Sequence, residues 1–579
     1  MMYNLRIMKT KSLYLTVALG LMLGFASCDM DYYPSDEQSS DVLIQESSAT
    51  IMDGCYSLLK DEIEYLGWPS GNSYCRHYFQ MAEFPADNIC LSGKSTDPLF
   101  QATTYTMTDN LQNVGSLWMI GYKIINMTNT LIATMDESNP DAHQILGEAY
   151  FMRALIHHNL VTLFAKPYAC GRDNMGIPLR TTTNSTETKR DPVGEVYDRI
   201  VEDLKKAAAL MDKEPRGNAG YPCKDAALGL LSRVYLFMGD YNNCITTVNT
   251  MLGGSGLSYI DPSDKLDPNL ASYFANAKTS KETLFCIAHE TTDDRGQSSI
   301  GSMYNGDGGG WGEIYPSFPL MNLYERYPMD IRYTAFIKPQ YKNDAPPSSS
   351  LKVFIPNGTS GSTERRDIVS PCPTVTLDSI TGQYSFDENG VTYTIENRAI
   401  QGEYTEYHVN YNGEDLAVRI IPSNISARNT YPKYYVTKFG YQDGSPTLSS
   451  PVVLRWAEVI LNRAEAYARL TGHDKEALDD VNVIRARAGI PAAGHFAASN
   501  MHGYTSVIDV VMDERRMELA FEGHRMFDVY RNKQNMNREY PGLQAWKEIV
   551  FDFSKEPHIL YPIPNAEWTV SGIQQNDGY

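Results

Sequence analysis

The sequence predicts a mainly α fold, in which stacked helical hairpins carry a loop-rich, partly β region. Three observations lead there. Apolar residues recur at three- and four-residue spacing over long windows, as a helix with one buried face requires. Pairs of these windows are joined by short glycine-bearing turns with small residues on either side. Between about residues 255 and 450 the helical period stops. Gly, Pro, Ser, Asn and Asp there punctuate short alternating runs such as 391–395 and 431–438.

The chain opens with basic Lys9 and Lys11, an apolar run over 13–25, and then Ala26-Ser27-Cys28. The run is too short to span a bilayer and ends in small residues, so residues 1–27 read as a secretory leader that is removed. Cys28, directly after the cleavage site, resembles a lipobox cysteine, with Phe25 where leucine usually stands. The expected mature chain starts at Cys28, carries a lipid on it and sits on a membrane surface outside the cytoplasm. Asp29 and Asp31 resemble an export signal of surface lipoproteins. Met8 is an alternative start, and a secreted protein with an incidental Cys28 is the alternative reading. Residues 29–40 are polar and unpatterned, and 28–44 read as a lipidated tether. The single body is expected over 45–579.

Helical periodicity begins near Ser47, with Ile51, Cys55, Leu58 and Leu59 on one face. Helices are expected over 114–135, 142–164, 192–211, 224–238, 241–252, 452–470, 475–488 and 506–530. Pro192 suits a first turn and Asp191 a cap. Leu231, Ser232, Tyr235, Gly239, Asp240, Tyr241 and Cys244 follow the large–small–aromatic–turn–small order of a tetratricopeptide (TPR) hairpin. Ala464, Tyr467, Gly472 and Ala477 repeat it with one residue inserted, and 144–164 fits the first half. Small residues let paired helices approach closely, so a TPR-like helical-hairpin solenoid is the expected scaffold, mainly over 45–255 and 450–535. The loop-rich region of about 255–450 is the expected ligand-binding excursion.

The 579 residues carry a net charge of −20. Phosphate backbones would be repelled, so no nucleic-acid partner is expected, and acidic polysaccharides are disfavoured. Tyrosine is abundant, at 39. Its flat apolar face and polar tip suit sugars and peptides, although most tyrosines are expected to pack between helices. Nine cysteines are scattered without a CxxC or zinc spacing, and no disulfide is assigned.

Catalytic signatures are missing. No Gly-x-Ser-x-Gly or His-Glu-x-x-His occurs. Gly93-Lys94-Ser95 lacks the earlier P-loop glycine, which falls on Asn88, and 306–312 is glycine-rich without GxGxxG spacing. Adjacent His157 and His158 point about 100° apart on a helix, poor for one metal. Acidic residues are numerous enough that sequence leaves a glycosidase pair open. The densest acid–base cluster, Asp513, Glu514, Arg515, Arg516, Glu518, Glu522 and Arg525, reads first as structural ion pairing. Glu148, Arg153, Glu458 and Glu465 read the same way. No catalytic residue, cofactor or metal is expected.

Several blocks are specific. They are Trp118…Tyr122…Asn126…Asn129, Gly147-Glu-Ala-Tyr-Phe-Met-Arg153-Ala154, Leu454-Arg455-Trp-Ala-Glu458 with Asn462-Arg-Ala-Glu465-Ala466, Asn482…Arg485…Arg487…Gly489, and Glu514-Arg-Arg-Met-Glu518…Glu522-Gly-His-Arg525. The chain closes on Tyr561-Pro-Ile-Pro564 and Gln575-Asn-Asp577-Gly-Tyr579, with Asp577 where a proline is usual. In order, they resemble the SusD/RagB family of outer-membrane nutrient-binding lipoproteins. The resemblance implies a non-catalytic surface protein that captures an oligosaccharide, sometimes a peptide. It also implies a SusC-like TonB-dependent transporter as partner, with the lipoprotein as its lid, and an outer-membrane location through the lipid anchor. A peptide-binding member, a surface hydrolase on the same scaffold and a structural adaptor are the rival readings.

A neutral glycan needs flat aromatic faces and a few polar side chains to pair its hydroxyls. Trp118 and Trp456 sit in helices and read as core. Trp568 is expected to pack, and Trp546 is undecided. Trp68 and Trp311 lie in Gly-rich loops where periodicity offers no core, and are the expected stacking residues. Asn72, Tyr74, Arg76, Tyr304 and Asp307 are their expected partners, with Tyr404 and Tyr407 as weaker candidates.

Overall fold

The computed structural model describes residues 47–67, 71, 73–93, 97–183, 188–327, 329–357, 367–401 and 404–579. The leader, Cys28, the tether, Trp68 and Asn72 lie outside the described residues. The body is helix-rich with a minority of strands.

Amphipathic windows become helices much as their periodicity dictates. They are α1 (Ser48–Lys60), α2 (Tyr74–Glu83), α3 (Gln112–Thr134), α4 (His143–Phe164), α5 (Val193–Leu210), α6 (Lys224–Met238) and α7 (Tyr241–Met251), then α8 (Phe318–Glu325), α9 (Trp456–Ala468), α10 (Asp474–Arg487), α11 (Val507–Glu518) and α12 (Arg525–Arg531). From α3 to α7 each helix packs on the next, α7 and α6 pack on α9, and α9 packs on α10 and α11. Tight turns make the hairpins. Gly239 takes φ +74, and Asp240 then caps α7 by accepting the Asn243 N–H at 3.3 Å. The small positions are the close approaches: Ser232, Cys244, Ala464 and Ala477 are fully buried.

Four expectations need correction. Residues 452–470 are not one helix: Val452–Arg455 is a strand paired with Thr283–Cys286, and only then does α9 begin. The β-branched Val452-Val453 suits that strand. The window 506–530 is broken between α11 and α12, where Phe521 takes φ +70 and Gly523 φ +76. Pro192 stands at the cap position of α5, not inside it, and Asp191 instead accepts the Leu179 N–H at 2.8 Å. Tyr74, expected to end the loop over 65–74, instead begins α2, started by Ser73, whose Oγ accepts the Arg76 N–H at 3.3 Å.

Much of the region expected to be loop-rich and partly β is a closed barrel. Strands β1 (Leu351–Phe354), β2 (Thr374–Leu377), β3 (Tyr384–Glu388), β4 (Val391–Gln401), β5 (Tyr404–Tyr411) and β6 (Glu414–Pro422) close in the circuit β4-β5-β6-β1-β2-β3. All six pairings are antiparallel. Its core is Val353, Ile355, Val369, Val375, Phe386, Ile395, Val409, Leu416 and Val418, and Trp546 of the C-terminal region packs against it. The chain enters and leaves side by side: Leu351 faces Pro422 across the sheet, and the Ser423 N–H donates to Ser350 O at 2.8 Å. The second run expected as a strand does form one, Tyr434–Val436, against Ile337–Pro339.

Buried ion pairs join distant segments. Arg153 holds Asp203 at 2.7 Å, Arg233 holds Glu458 at 2.6 Å and Arg463 holds Asp480 at 2.7 Å. The acid–base cluster running from α11 into α12 is largely ion-paired. Glu514 meets Arg332 at 2.6 Å, Arg515 meets Asp528 at 3.1 Å and Arg525 meets Asp87 at 2.7 Å.

Glu83, on α2, is the exception among these carboxyls. It is fully buried, and its nearest support is the Gly523 N–H at 3.2 Å. Burial pushes its pKa up to about 8. The folded state therefore holds a proton that the unfolded chain releases near pH 4.5, so this group costs stability progressively as pH rises from about 4.5 to about 8. Glu83→Gln is expected to raise stability at pH 8 by about 2 kcal/mol, with the gain vanishing near pH 5. Thermal melts at both pH values check this, and an equal shift at the two would contradict it.

Candidate functional site

Glycine builds the loop that carries Trp311. Gly308, Gly309 and Gly312 take φ +64, +84 and +52, and a Cβ on Gly310 would overlap the Asn305 carbonyl oxygen. The loop folds back so tightly that no pocket is left for a large ring. Trp311 is accordingly 48% exposed. It is nonetheless held, because its Nε1–H donates to Gln297 O at 3.2 Å and its carbonyl accepts from Arg428 Nη1 at 2.6 Å. Arg428 also pairs with Glu313 at 2.6 Å; burial holds the Glu313 carboxyl above its ordinary range, and Arg428 offsets only part of that effect.

Asp307 stands on the same loop, partly exposed. Its Oδ2 accepts from Tyr441 Oη at 2.9 Å and from Lys338 Nζ at 3.4 Å. The site therefore offers an open indole face with Gln297, Arg428, Glu313, Asp307, Lys338 and Tyr441 around the loop. A ring that presents C–H groups can lie on the indole while its hydroxyls reach charged and amide groups at the edge.

The loop that precedes α2 comes to the same place. Gly71 lies against Ser298, the neighbour of Gln297, and against the Arg76 guanidinium. The structure thus brings the flank of the expected Trp68 loop beside the Trp311 loop. Arg76 itself points inward. It reaches Asp97 at 3.5 Å and the Met303 sulfur at 3.9 Å, and lines a recess of about 20 Å³ with Ser73, Asp294, Ser298 and Thr447. Burial holds its pKa below the usual guanidinium value.

Two expected partners are core residues. Tyr74 begins α2 with its side chain buried, its hydroxyl accepting from Asn159 Nδ2 at 3.1 Å and its ring stacked on Tyr78. Tyr304 ends a short helix, Ile300–Tyr304, and stacks on Phe439 at 5.4 Å beneath the glycine loop. Burial raises both hydroxyls well above the usual tyrosine pKa. Neither reaches a ligand from there. Tyr407 packs inside the barrel, edge-on to Tyr384 at 5.8 Å, and Tyr404 lies in β5 with its side chain outside the description. Trp118 and Trp456 are buried as expected, whereas Trp568 is partly exposed, its Nε1–H donating to Asp109 at 2.9 Å.

Arg428, Gln297, Lys338 and Tyr441 escaped the sequence reading. Arg428 precedes Asn429 and Thr430, both at positive φ. Only the return of that turn onto Trp311 gives it meaning, and no local pattern encodes such a return. A separate cleft of about 230 Å³ lies between the barrel and the body, lined by Glu406, Ala417, Phe318, Asn322, Asp513 and Arg516 among others. Arg516 there is drawn into a pair with Asp87 at 3.3 Å. Among the described residues no helix is long and apolar enough to cross a membrane.

Comparison with known proteins adds a lineage. A family model described as "SusD family" matches residues 276–579, and one described as "Starch-binding associating with outer membrane" matches residues 36–236. SusD-like protein P2 of Formosa agariphila is 24% identical over 501 residues, covering 83% of each chain. SusD-like protein P38 of the same organism is 21% identical over 482 residues, covering 80% of this chain and 81% of the relative. A SusD superfamily structure from Bacteroides thetaiotaomicron is similar over 92% of this chain and 99% of its own, at 20% identity and TM-score 0.65. A laminarin-binding SusD-like protein is similar over 92% and 99%, at 19% identity and TM-score 0.57.

Proposed function

The chain belongs to the SusD family, and on that premise we propose that it is a non-catalytic surface lipoprotein that captures an oligosaccharide. In this reading Cys28 carries the lipid that holds the body on the outer membrane, an association that one family description also names. A SusC-like TonB-dependent transporter receives the glycan, and this chain acts as its lid. The stacked hairpins are a TPR-like scaffold for that movement. One observation carries the ligand class: Trp311, half exposed on a glycine loop yet pinned by Gln297 and Arg428. An indole left in water costs apolar exposure, and pinning it spends further entropy. Both costs make sense where a C–H-rich ring covers the face. Trp68 and Asn72 are proposed to complete the site.

Isothermal calorimetry of the chain against neutral glycans tests this. Laminarin and starch come first, since related proteins and models carry those ligands in their descriptions. Trp311→Ala is expected to weaken binding about tenfold, the scale of one lost stacking contact with its buried face. Full affinity in that variant would remove the site. Binding of peptides with no glycan bound would place the chain with the peptide-binding reading instead.

A further inference from the structure

The barrel is a module of its own, inserted with its chain ends side by side. The body meets its outer wall, where Arg419 pairs with Asn322 and Glu325 on α8 and Glu406 accepts from Asn322, and Trp546 packs against its core. The far end is different. Two hairpins turn there, at Asn389-Gly390 and Asn412-Gly413, with all four residues at positive φ, as tight two-residue turns need. Both turns lie at the end remote from Leu351 and Pro422, because β3 and β5 run toward it and β4 and β6 away from it.

Side chains alternate in and out along a strand. Phe386, Ile395 and Val409 are core members, so the next inward positions toward the far end are Glu388, Tyr393 and Tyr411. Val391 follows Tyr393 on the same side. The rings form a ladder across three strands, with Phe386 stacked on Tyr393 at 5.0 Å and Tyr393 beside Tyr411 at 5.1 Å. Phe386 is buried, both tyrosines are half-buried, and Val391 is 50% exposed, so the ladder emerges from the core into solvent. Polar groups stand at its edge: Tyr411 Oη donates to Glu388 Oε2 at 2.6 Å, and Tyr393 Oη donates to Asn412 Oδ1 at 3.0 Å.

A hydrophobic plug needs none of these acids and amides. A sugar does: its C–H face takes an aromatic step, and its hydroxyls take a carboxylate and an amide. We propose that this barrel mouth is a second glycan platform, on which a neutral sugar ring lies over Tyr411 and Val391 with its hydroxyls paired by Glu388 and Asn412. A neutral ligand is favoured over an anionic one, since Asp387, Glu388 and Glu414 stand at the same end, where Asp415 is paired with Arg398 at 2.7 Å. Taking glycan as the ligand rests on the proposed function above. The second site is separate from the Trp311 loop, so one polymer could engage both and gain avidity.

Affinity electrophoresis of the full chain tests this in native gels containing laminarin, starch, mannan or xylan. Wild type is run with Tyr411→Ala, Glu388→Gln, Trp311→Ala and the double variant Trp311→Ala/Tyr411→Ala. Thermal melts confirm folding, and Glu388→Gln leaves the ring ladder intact. On a polymer that retards wild type, Tyr411→Ala and Glu388→Gln are each expected to weaken retardation about threefold or more, and the double variant more than either single. Unchanged retardation of both Tyr411→Ala and Glu388→Gln overturns the platform while leaving the Trp311 site standing. Loss in these two with Trp311→Ala unaffected keeps the platform and removes the Trp311 site. No retardation of wild type by any of the polymers removes both.

Discussion

Arg455→Ala is expected to cost about 3–5 kcal/mol of folding stability, the range for breaking a buried ion pair from one side. Arg455 is almost wholly buried, and its guanidinium spends all its donors. Nη1 donates to Glu282 at 2.8 Å and to Glu518 at 2.7 Å, while Nε and Nη2 donate to the two oxygens of Glu522 at 2.8 Å. Nη2 adds the Glu518 carbonyl at 2.9 Å. These partners lie in the segment before the Thr283–Cys286 strand, at the end of α11 and in the turn toward α12, so one side chain straps three regions together. Without it three carboxylates face each other, with Lys438, Arg487 and Arg332 left as local cations. Arg455→Lys is expected to recover only part of the loss, because one ammonium cannot present a planar fork to three acids.

The pH dependence gives a second check. Nearby Arg487, Arg455, Arg332 and Lys438 more than offset burial at Glu518, and Arg455 and Lys438 do so at Glu522, holding both carboxyls below the ordinary range. Their stabilisation is complete above about pH 4.5, where the unfolded carboxyls are ionised, and fades as pH falls below that value. The variant lacks a cation that both carboxyls share, so they gain relief from protonation. Its deficit is therefore expected to be largest near pH 7 and to shrink toward pH 4. Urea denaturation at the two pH values measures this, and a deficit below about 1 kcal/mol at pH 7 would show that the strap is dispensable.

What the sequence made legible follows from the range of the interactions involved. The helices from 112 to 251 could be read because their periodicity and turn glycines are local. Residues 452–455 could not, since what makes them a strand is Thr283–Cys286, far away in the chain. The barrel shows the same limit. Its hairpin 384–395 is marked by Asn389-Gly390, but closure requires Leu351–Phe354 to pair with β6 on one side and β2 on the other. The exposure of Trp311 was legible because a run of glycines excludes a core. Tyr304, seven residues earlier, looked equally loop-like, and only the stacking of Phe439 beneath it makes it core. Tyr74 and Arg76 were misread with it, because the cap at Ser73 that turns them into a helix is one residue deep.

Gly310→Ala is expected to abolish the Trp311 site without touching the indole, and to cost about 3 kcal/mol of stability, typical of overpacking against rigid backbone. Gly310 has ordinary backbone angles, φ −65 and ψ 164, so conformational strain is not the reason. The reason is space: its Cβ would overlap the Asn305 carbonyl oxygen and crowd Ser302 Cα at 3.2 Å, both backbone atoms. Asn305 cannot withdraw cheaply. Its side chain donates to Pro446 O at 3.4 Å and accepts the Asp307 N–H at 2.9 Å, while the Gly312 N–H is tied to Ser302 O at 2.8 Å. The loop must therefore lift as a unit, carrying Trp311 away from Gln297 and Arg428. Gly309→Ala is the contrast. Nothing lies within 4 Å of its Cβ, and its φ of +84 imposes about 1 kcal/mol of strain alone. Calorimetry with a glycan that binds wild type should give Gly310→Ala an affinity at or below that of Trp311→Ala, with Gly309→Ala close to wild type. Wild-type binding by Gly310→Ala would show that the pinned geometry of the loop is irrelevant to capture.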